Sequence, residues 1–196
     1  MNRVNELILR GIFTVRQREI KWFYQEGASA LFPDAWETYL APIPANERDD
    51  LVAAYYRRLT GDDAQERMTC ARAWSLWEAN TLSLRPNPKL IIEFGTDAFA
   101  LAFGRIECHY FINRGFFESD DQLLVGATKL KGLPGVIIQG RYDVVTPAET
   151  AWALHKAWPE AHFEIIPDAG HTATEPGITD ALIRATDRFA MQAAHS

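Results

Sequence analysis

Two short apolar runs in the last third of the chain, GVIIQG at 135–140 and HFEIIP at 162–167, flank a single amphipathic segment, TPAETAWALHKAWP. A second amphipathic segment, GITDALIRATDRFAMQAA, follows. Compact runs bounded by Gly and Pro read as buried strands, and the segments after them read as helices. Strands joined through a helix lie parallel, because a tight hairpin cannot connect them, and the crossover is right-handed. This strand–helix–strand–helix grammar commits the region to an α/β sheet. VNELILRGIF at 4–13 reads as one more strand, running into a turn.

Between these pieces the pattern is helical and rich in tryptophan. RQREIKWFYQEG stops at Gly27, and PDAWETYLAPIP holds a helical turn closed by prolines. ANERDDLVAAYYRRLTG carries an apolar stripe at Leu51, Val52, Tyr55 and Leu59, with acids early and arginines late, as the helix dipole favours. In the next segment, DDAQERMTCARAWSLWEANTLSL, Asp62 and Asp63 are candidate caps. DAFALAFGRIECHYFINRGFF is another long striped stretch. The layout is an α/β domain, residues 1–14 and 126–196, interrupted by a helical cap at 15–125.

Hydrophobic residues at 47% are enough to build a core, and a net charge of −6 argues against a nucleic-acid partner. No window approaches the roughly 20 apolar residues that span a bilayer, and the N-terminus lacks a signal-peptide pattern. Cys70 and Cys108 have no CxxC spacing, so reduced, partly buried thiols and a cytoplasmic location are expected. The five histidines, His109, His155, His162, His171 and His195, show neither HxxxH nor HxH. Neither a metal nor an organic cofactor is expected.

Asp143, in GRYDVVTP, and His171, in PDAGHTATEPG, each lie just past the end of a predicted parallel strand, where open α/β sheets gather their functional residues. An acid followed by a histidine in this setting is the order of a hydrolase triad, in which the acid orients the imidazole and the imidazole moves the nucleophile's proton. Singly, Asp143 reads equally as a turn or helix cap, and His171 as a loop histidine. The nucleophile is not found. Of Ser29, Ser75, Ser83 and Ser119, only Ser29 has a glycine two places earlier, and it follows a helix rather than a strand.

The chain resembles the proline iminopeptidases (prolyl aminopeptidases), serine peptidases of the α/β-hydrolase fold. The resemblance runs through LILRGIFTVRQREIKWFYQEGAS, FPDAWETYLAPIP, RAWSLWEANTLSL, RIECHYFINRGFF, GRYDVVTPAETAWALHKAWPEA and DAGHTATEPGI, and so over nearly the whole sequence. It implies that Asp143 and His171 are the triad acid and base, and that Glu78 and Glu107 bind the charged amino end of a peptide beginning with proline. It also implies that Phe13 and Phe23 wall the proline ring, with Val145 and Thr146 lining the same pocket; family members often carry cysteine where Thr146 stands. The family's early strands, oxyanion loop and serine elbow have no counterpart in this sequence. The expectation is therefore the C-terminal part of such an enzyme, inactive alone. A complementing half, or self-association through an exposed sheet edge, is expected. The alternatives are a truncated homologue without catalysis, or one half of a split enzyme that binds peptide N-termini.

Overall fold

The computed structural model describes residues 3–193, so His195 lies outside it. Two compact units are present, one formed by residues 3–14 and 121–193, the other by Val15–Asp120.

The first unit is built on three parallel strands, β1 (Leu7–Arg10), β2 (Gly135–Gly140) and β3 (His162–Ile166), in the order β1-β2-β3. Leu9 sits opposite Ile137, and Ile138 opposite Glu164. Every residue of β2 is buried, as a parallel strand covered on both faces must be. The period of two divides its side chains. Ile137 packs with Ala151, Leu154 and Trp158, which belong to helix α8 (Ala148–Ala157) and the residue after it. Val136 and Ile138 pack on the other face against Ile178, Ala181, Ala185 and Phe189 of helix α9 (Pro176–Ala193). Gly135 is required here, because a Cβ would fall 1.9 Å from the Trp158 ring. Among the described strands β1 is paired on one side only.

The second unit is helical: α1 (Gln17–Tyr24), α2 (Pro33–Leu40), α3 (Leu51–Thr60), α4 (Ala64–Thr81), α5 (Pro88–Phe94) and α6 (Asp97–Ile112). The longest of them, α4, packs against α2, α3, α5 and α6. Asp63 caps it, accepting from the amides of Gln65 and Glu66, and Asp50 caps α3 through Ala53. The aromatic residues form one stacked core. The Tyr24 and Trp74 rings lie 4.3 Å apart at 12°, and Tyr39 and Tyr55 lie 4.7 Å apart at 12°. Trp74 and Trp77 are fully buried.

Three features differ from the sequence expectation. Helix α5 was not anticipated: it is only seven residues long and none of them is fully buried, with Leu90, Ile91 and Phe94 partly covered, although Asn87 caps it and Pro88 opens it. The helical unit ends at Asp120 rather than at 125. The short helix α7 (Gln122–Gly126) and the turn after it direct Leu124, Ala127 and Leu130 into the cluster around Trp158. Cys70 and Cys108 are wholly rather than partly buried, and burial pushes the Cys70 thiol up to about 12. Among the described residues no helix is long and apolar enough to cross a membrane.

Candidate active site

In the sheet unit, the chain leaves β2 at Gly140 and turns. The amide of Tyr142 donates to the Ala169 carbonyl at 3.0 Å, binding this turn to the loop that follows β3. A Cβ on Gly140 would lie 2.0 Å from the Gly170 carbonyl oxygen, so only glycine lets the two loops approach this closely. The approach brings His171 to Asp143. Imidazole Nδ1 and carboxylate Oδ2 are 2.9 Å apart, with the histidine side chain 14% exposed and the aspartate 1%.

Asp143 is surrounded by donors. Oδ1 accepts from the Thr146 amide at 2.8 Å, and Oδ2 accepts from Gln139 Nε2 and from the Thr146 hydroxyl, both at 2.9 Å. With the His171 contact this makes four donors on an acceptor-only group, which is what a buried carboxylate requires. Because Oδ2 accepts, Nδ1 of His171 carries the proton, and Nε2 is left as the basic nitrogen. The imidazole is held from two further sides. The Arg10 guanidinium donates to the His171 carbonyl, and Gly11, at φ +53°, leaves the ring its space, since a Cβ there would come within 2.9 Å of Cε1. Glu175 at the start of α9 accepts from the Gly170 amide at 2.6 Å and fixes the residue before the histidine.

The Asp143 side chain makes both kinds of contact: Oδ1 closes the turn ahead of α8 while Oδ2 meets the imidazole. Thr146 is buried with its hydroxyl turned to Asp143 and to His171 Nδ1, 3.1 Å away. Val145 beside it is half-buried. Phe13, just past β1, lines a groove of about 570 Å³ together with Leu9, Ile12, Leu123, Leu130 and Leu154. Residues 3–14 and 121–193 include no serine and no cysteine, so the described part of this unit supplies no nucleophile.

In the helical unit, α1, α4 and α6 bring two acids to one phenol. The Tyr24 hydroxyl donates to Glu78 Oε1 and lies 3.4 Å from Glu107 Oε2, which accepts from the Trp74 indole at 2.9 Å. Glu78 is buried and Glu107 half-buried. Burial pushes the Glu107 carboxyl up to about 7, against the smaller opposing effect of its bonds from Trp74 and Tyr24. Burial, then the charges of Glu107 and Glu78, push the Tyr24 phenol well above its usual value. Phe23 is buried edge-on to Tyr24, at 4.8 Å and 86°, and tilted against Trp77 at 5.3 Å.

The family resemblance singled out the two acids, but not the Tyr24 and Trp74 that hydrogen-bond to them. Tyr24 and Trp74 were hidden among aromatics that are mostly core. Gln139 left a signal that was not used: an amide inside a fully buried strand must find partners.

A parallel sheet with an acid and a histidine beyond its strand ends is the arrangement expected of the α/β-hydrolase fold. Residues 2–177 match the family model described as alpha/beta hydrolase fold, and the chain belongs to that family. Its curated relatives carry a more particular name. It is 62% identical over 186 residues to the probable proline iminopeptidase of Leptolyngbya boryana, covering 95% of this chain and 58% of that protein. It is 56% identical over 187 residues to the proline iminopeptidase of Xylella fastidiosa (strain Temecula1 / ATCC 700964), covering 95% and 60%. It is 50% identical over 189 residues to that of Arabidopsis thaliana, covering 96% and 50%. The resemblance noted in the sequence is therefore borne out, and the chain spans between half and three-fifths of the length of these relatives.

Proposed function

We propose that this chain supplies the acid, the base and the amino-end site of a prolyl aminopeptidase, an enzyme that releases N-terminal proline by serine-type acyl transfer. The observation that carries this reading is the 2.9 Å contact between a buried Asp143 and His171 Nδ1, which leaves Nε2 as the base. A serine hydroxyl from outside the described residues gives its proton to Nε2 as its oxygen attacks the prolyl carbonyl. The imidazolium, stabilised by Asp143, passes that proton to the departing amine, and water then releases proline through the same base. Oxyanion donors also come from outside these residues.

The cyclic secondary ammonium of an N-terminal proline needs acceptors and counter-charge when it leaves water. Glu78 and Glu107, held by Tyr24 and Trp74, supply both. Phe13 and Val145 in the sheet unit are proposed as apolar surface for substrate, and so, in the helical unit, is Phe23. Thr146, whose hydroxyl is committed to Asp143, acts on the acid rather than on the ring.

The test uses proline aryl-amide hydrolysis. The chain alone is expected to be inert, and a fusion of it to the unmatched portion of the Leptolyngbya boryana relative is expected to be active. Replacement of His171 by alanine in the fusion should abolish turnover. Labelling of the isolated chain by a serine-directed fluorophosphonate, or full activity without His171, overturns the reading.

A further inference from the structure

Gln139 has no part in the chemistry described so far, yet it is buried and hydrogen-bonded on both sides of its amide. It occupies the fifth position of β2 and is fully buried. Four groups meet it. The Ile12 amide donates to Oε1 at 3.2 Å, while Nε2 donates to Asp143 Oδ2 and to the Thr146 carbonyl, both at 2.9 Å, and reaches the Gly140 carbonyl at 3.5 Å. One neighbour is a donor and three are acceptors, so the amide has a single self-consistent orientation. A carboxylate in its place has no hydrogen to give, and an apolar side chain leaves the Ile12 amide, Asp143 and Thr146 without this partner.

These contacts join the three pieces that build the acid–base pair. Ile12 follows Gly11, whose bare Cα makes room for the imidazole. Thr146 precedes the Pro147 that opens α8 and binds Asp143 through both its amide and its hydroxyl. The oxygen gripped by Gln139 is the same Oδ2 that faces His171.

We propose that Gln139 is a positioning residue of the acid–base pair: its amide clamps Oδ2 of Asp143 in the place where that oxygen meets Nδ1 of His171. The proposal rests on the reading of Asp143 and His171 as acid and base, and it extends the site to a side chain that touches no substrate. Thr146 and His171 also hold this carboxylate, but Gln139 is the one of its partners that reaches it from inside a buried strand.

The test needs no nucleophile. In the 196-residue chain with ¹⁵N-labelled histidine, the His171 Nδ1 proton is expected as a strongly deshielded resonance coupled to its nitrogen. Gln139→Met is expected to shift this resonance upfield or to broaden it into the baseline, with the backbone amide spectrum otherwise preserved. Should that variant fail to fold, Gln139→Asn, which keeps the amide but withdraws it by one methylene, gives the same readout. A folded variant that keeps the parent resonance overturns the proposal, and so does its absence from the parent chain. In the active fusion, Gln139→Asn should lower kcat about tenfold or more with KM little changed. Loss of the resonance without loss of turnover would count against the catalytic reading of the pair and leave the clamp standing.

Discussion

Replacing Glu107 by glutamine should make the chain more stable, and the gain should grow with pH. The side chain sits half-buried beside Tyr24 and Trp74, and burial raises its carboxyl from 4.5 to about 7. Below pH 4.5 the acid is protonated in both the folded and unfolded chain and contributes no pH dependence. Between 4.5 and about 7 the folded chain holds a proton that the unfolded chain has released, so stability falls as pH rises. Above about 7 both states are ionised, and the loss is complete. A shift of that size corresponds to about 3 kcal/mol, a ceiling because solvent reaches part of the side chain and screens it; about 2 kcal/mol is the working figure. The glutamine variant keeps an oxygen to accept from the Trp74 indole and carries no charge at any pH. Urea unfolding followed by tryptophan fluorescence suits the question, since Trp74 and Trp77 are buried in the same helical unit. Parent and variant should be nearly equally stable at pH 4, with the variant ahead by about 2 kcal/mol at pH 8. A difference that stays flat across this range, or that favours the parent at high pH, would refute the claim that this acid is buried at a cost to folding.

Two further outcomes follow from the sheet unit, and one from the helical unit. In the active fusion, Asp143→Asn should lower kcat by roughly 10³ to 10⁴, because an amide facing Nδ1 favours the wrong imidazole tautomer; steady-state kinetics with a proline aryl-amide reads this. Gly11→Ala should cost about 1–2 kcal/mol in thermal unfolding and depress turnover further, since φ is +53° there and the new methyl presses on the imidazole. In the same fusion, Glu78→Gln or Glu107→Gln should reduce kcat/KM for N-terminal proline by roughly 10-fold to 100-fold, the worth of one charge-assisted hydrogen bond. If neither glutamine variant moves kcat/KM, the amino-end assignment is lost.

The sheet was legible because its signals are local. GVIIQG and HFEIIP are short and bounded by turn residues, and a helix between them leaves parallel pairing as the outcome; β2, α8 and β3 form in that order. Asp63 was legible as a cap for the same reason, an acid standing just before a helical stripe. Helix α5 was not, because seven residues, under two turns of helix, are too few for the partly covered Leu90, Ile91 and Phe94 to set up a readable period. The site was half legible. Asp143 and His171 announce themselves by position after their strands, but their partners are assembled across the fold: Gly11 and Arg10 come from the far end of the sequence, and Tyr24 meets Glu78 and Glu107 only once α1, α4 and α6 have packed. No spacing rule links such residues.

The two units treat a buried carboxylate in opposite ways, and the difference accords with the roles proposed. Asp143 meets four donors, from Gln139, Thr146 and His171, so both of its oxygens are fully engaged within the protein. Its charge is held in one orientation, as an acid must be that steadies an imidazolium without exchanging protons itself. Among the described residues Glu107 takes a hydrogen at Oε2 from the Trp74 indole, with the Tyr24 hydroxyl, which donates to Glu78, 3.4 Å from the same oxygen, and its Oε1 accepts none. Burial without a full set of donors raises its carboxyl to about 7 and leaves acceptor capacity unused. That arrangement costs the unbound fold stability, and in the role proposed for Glu107 an ammonium placed against Oε1 would bring a donor and a positive charge together. Binding of a proline amide should therefore lower the pH at which Glu107 gives up its proton, so the ligand should bind more tightly as pH rises from 5 to 8. Calorimetric titration of the active fusion carrying a Ser→Ala nucleophile would show this, and affinity that is independent of pH over that range would separate Glu107 from the ammonium.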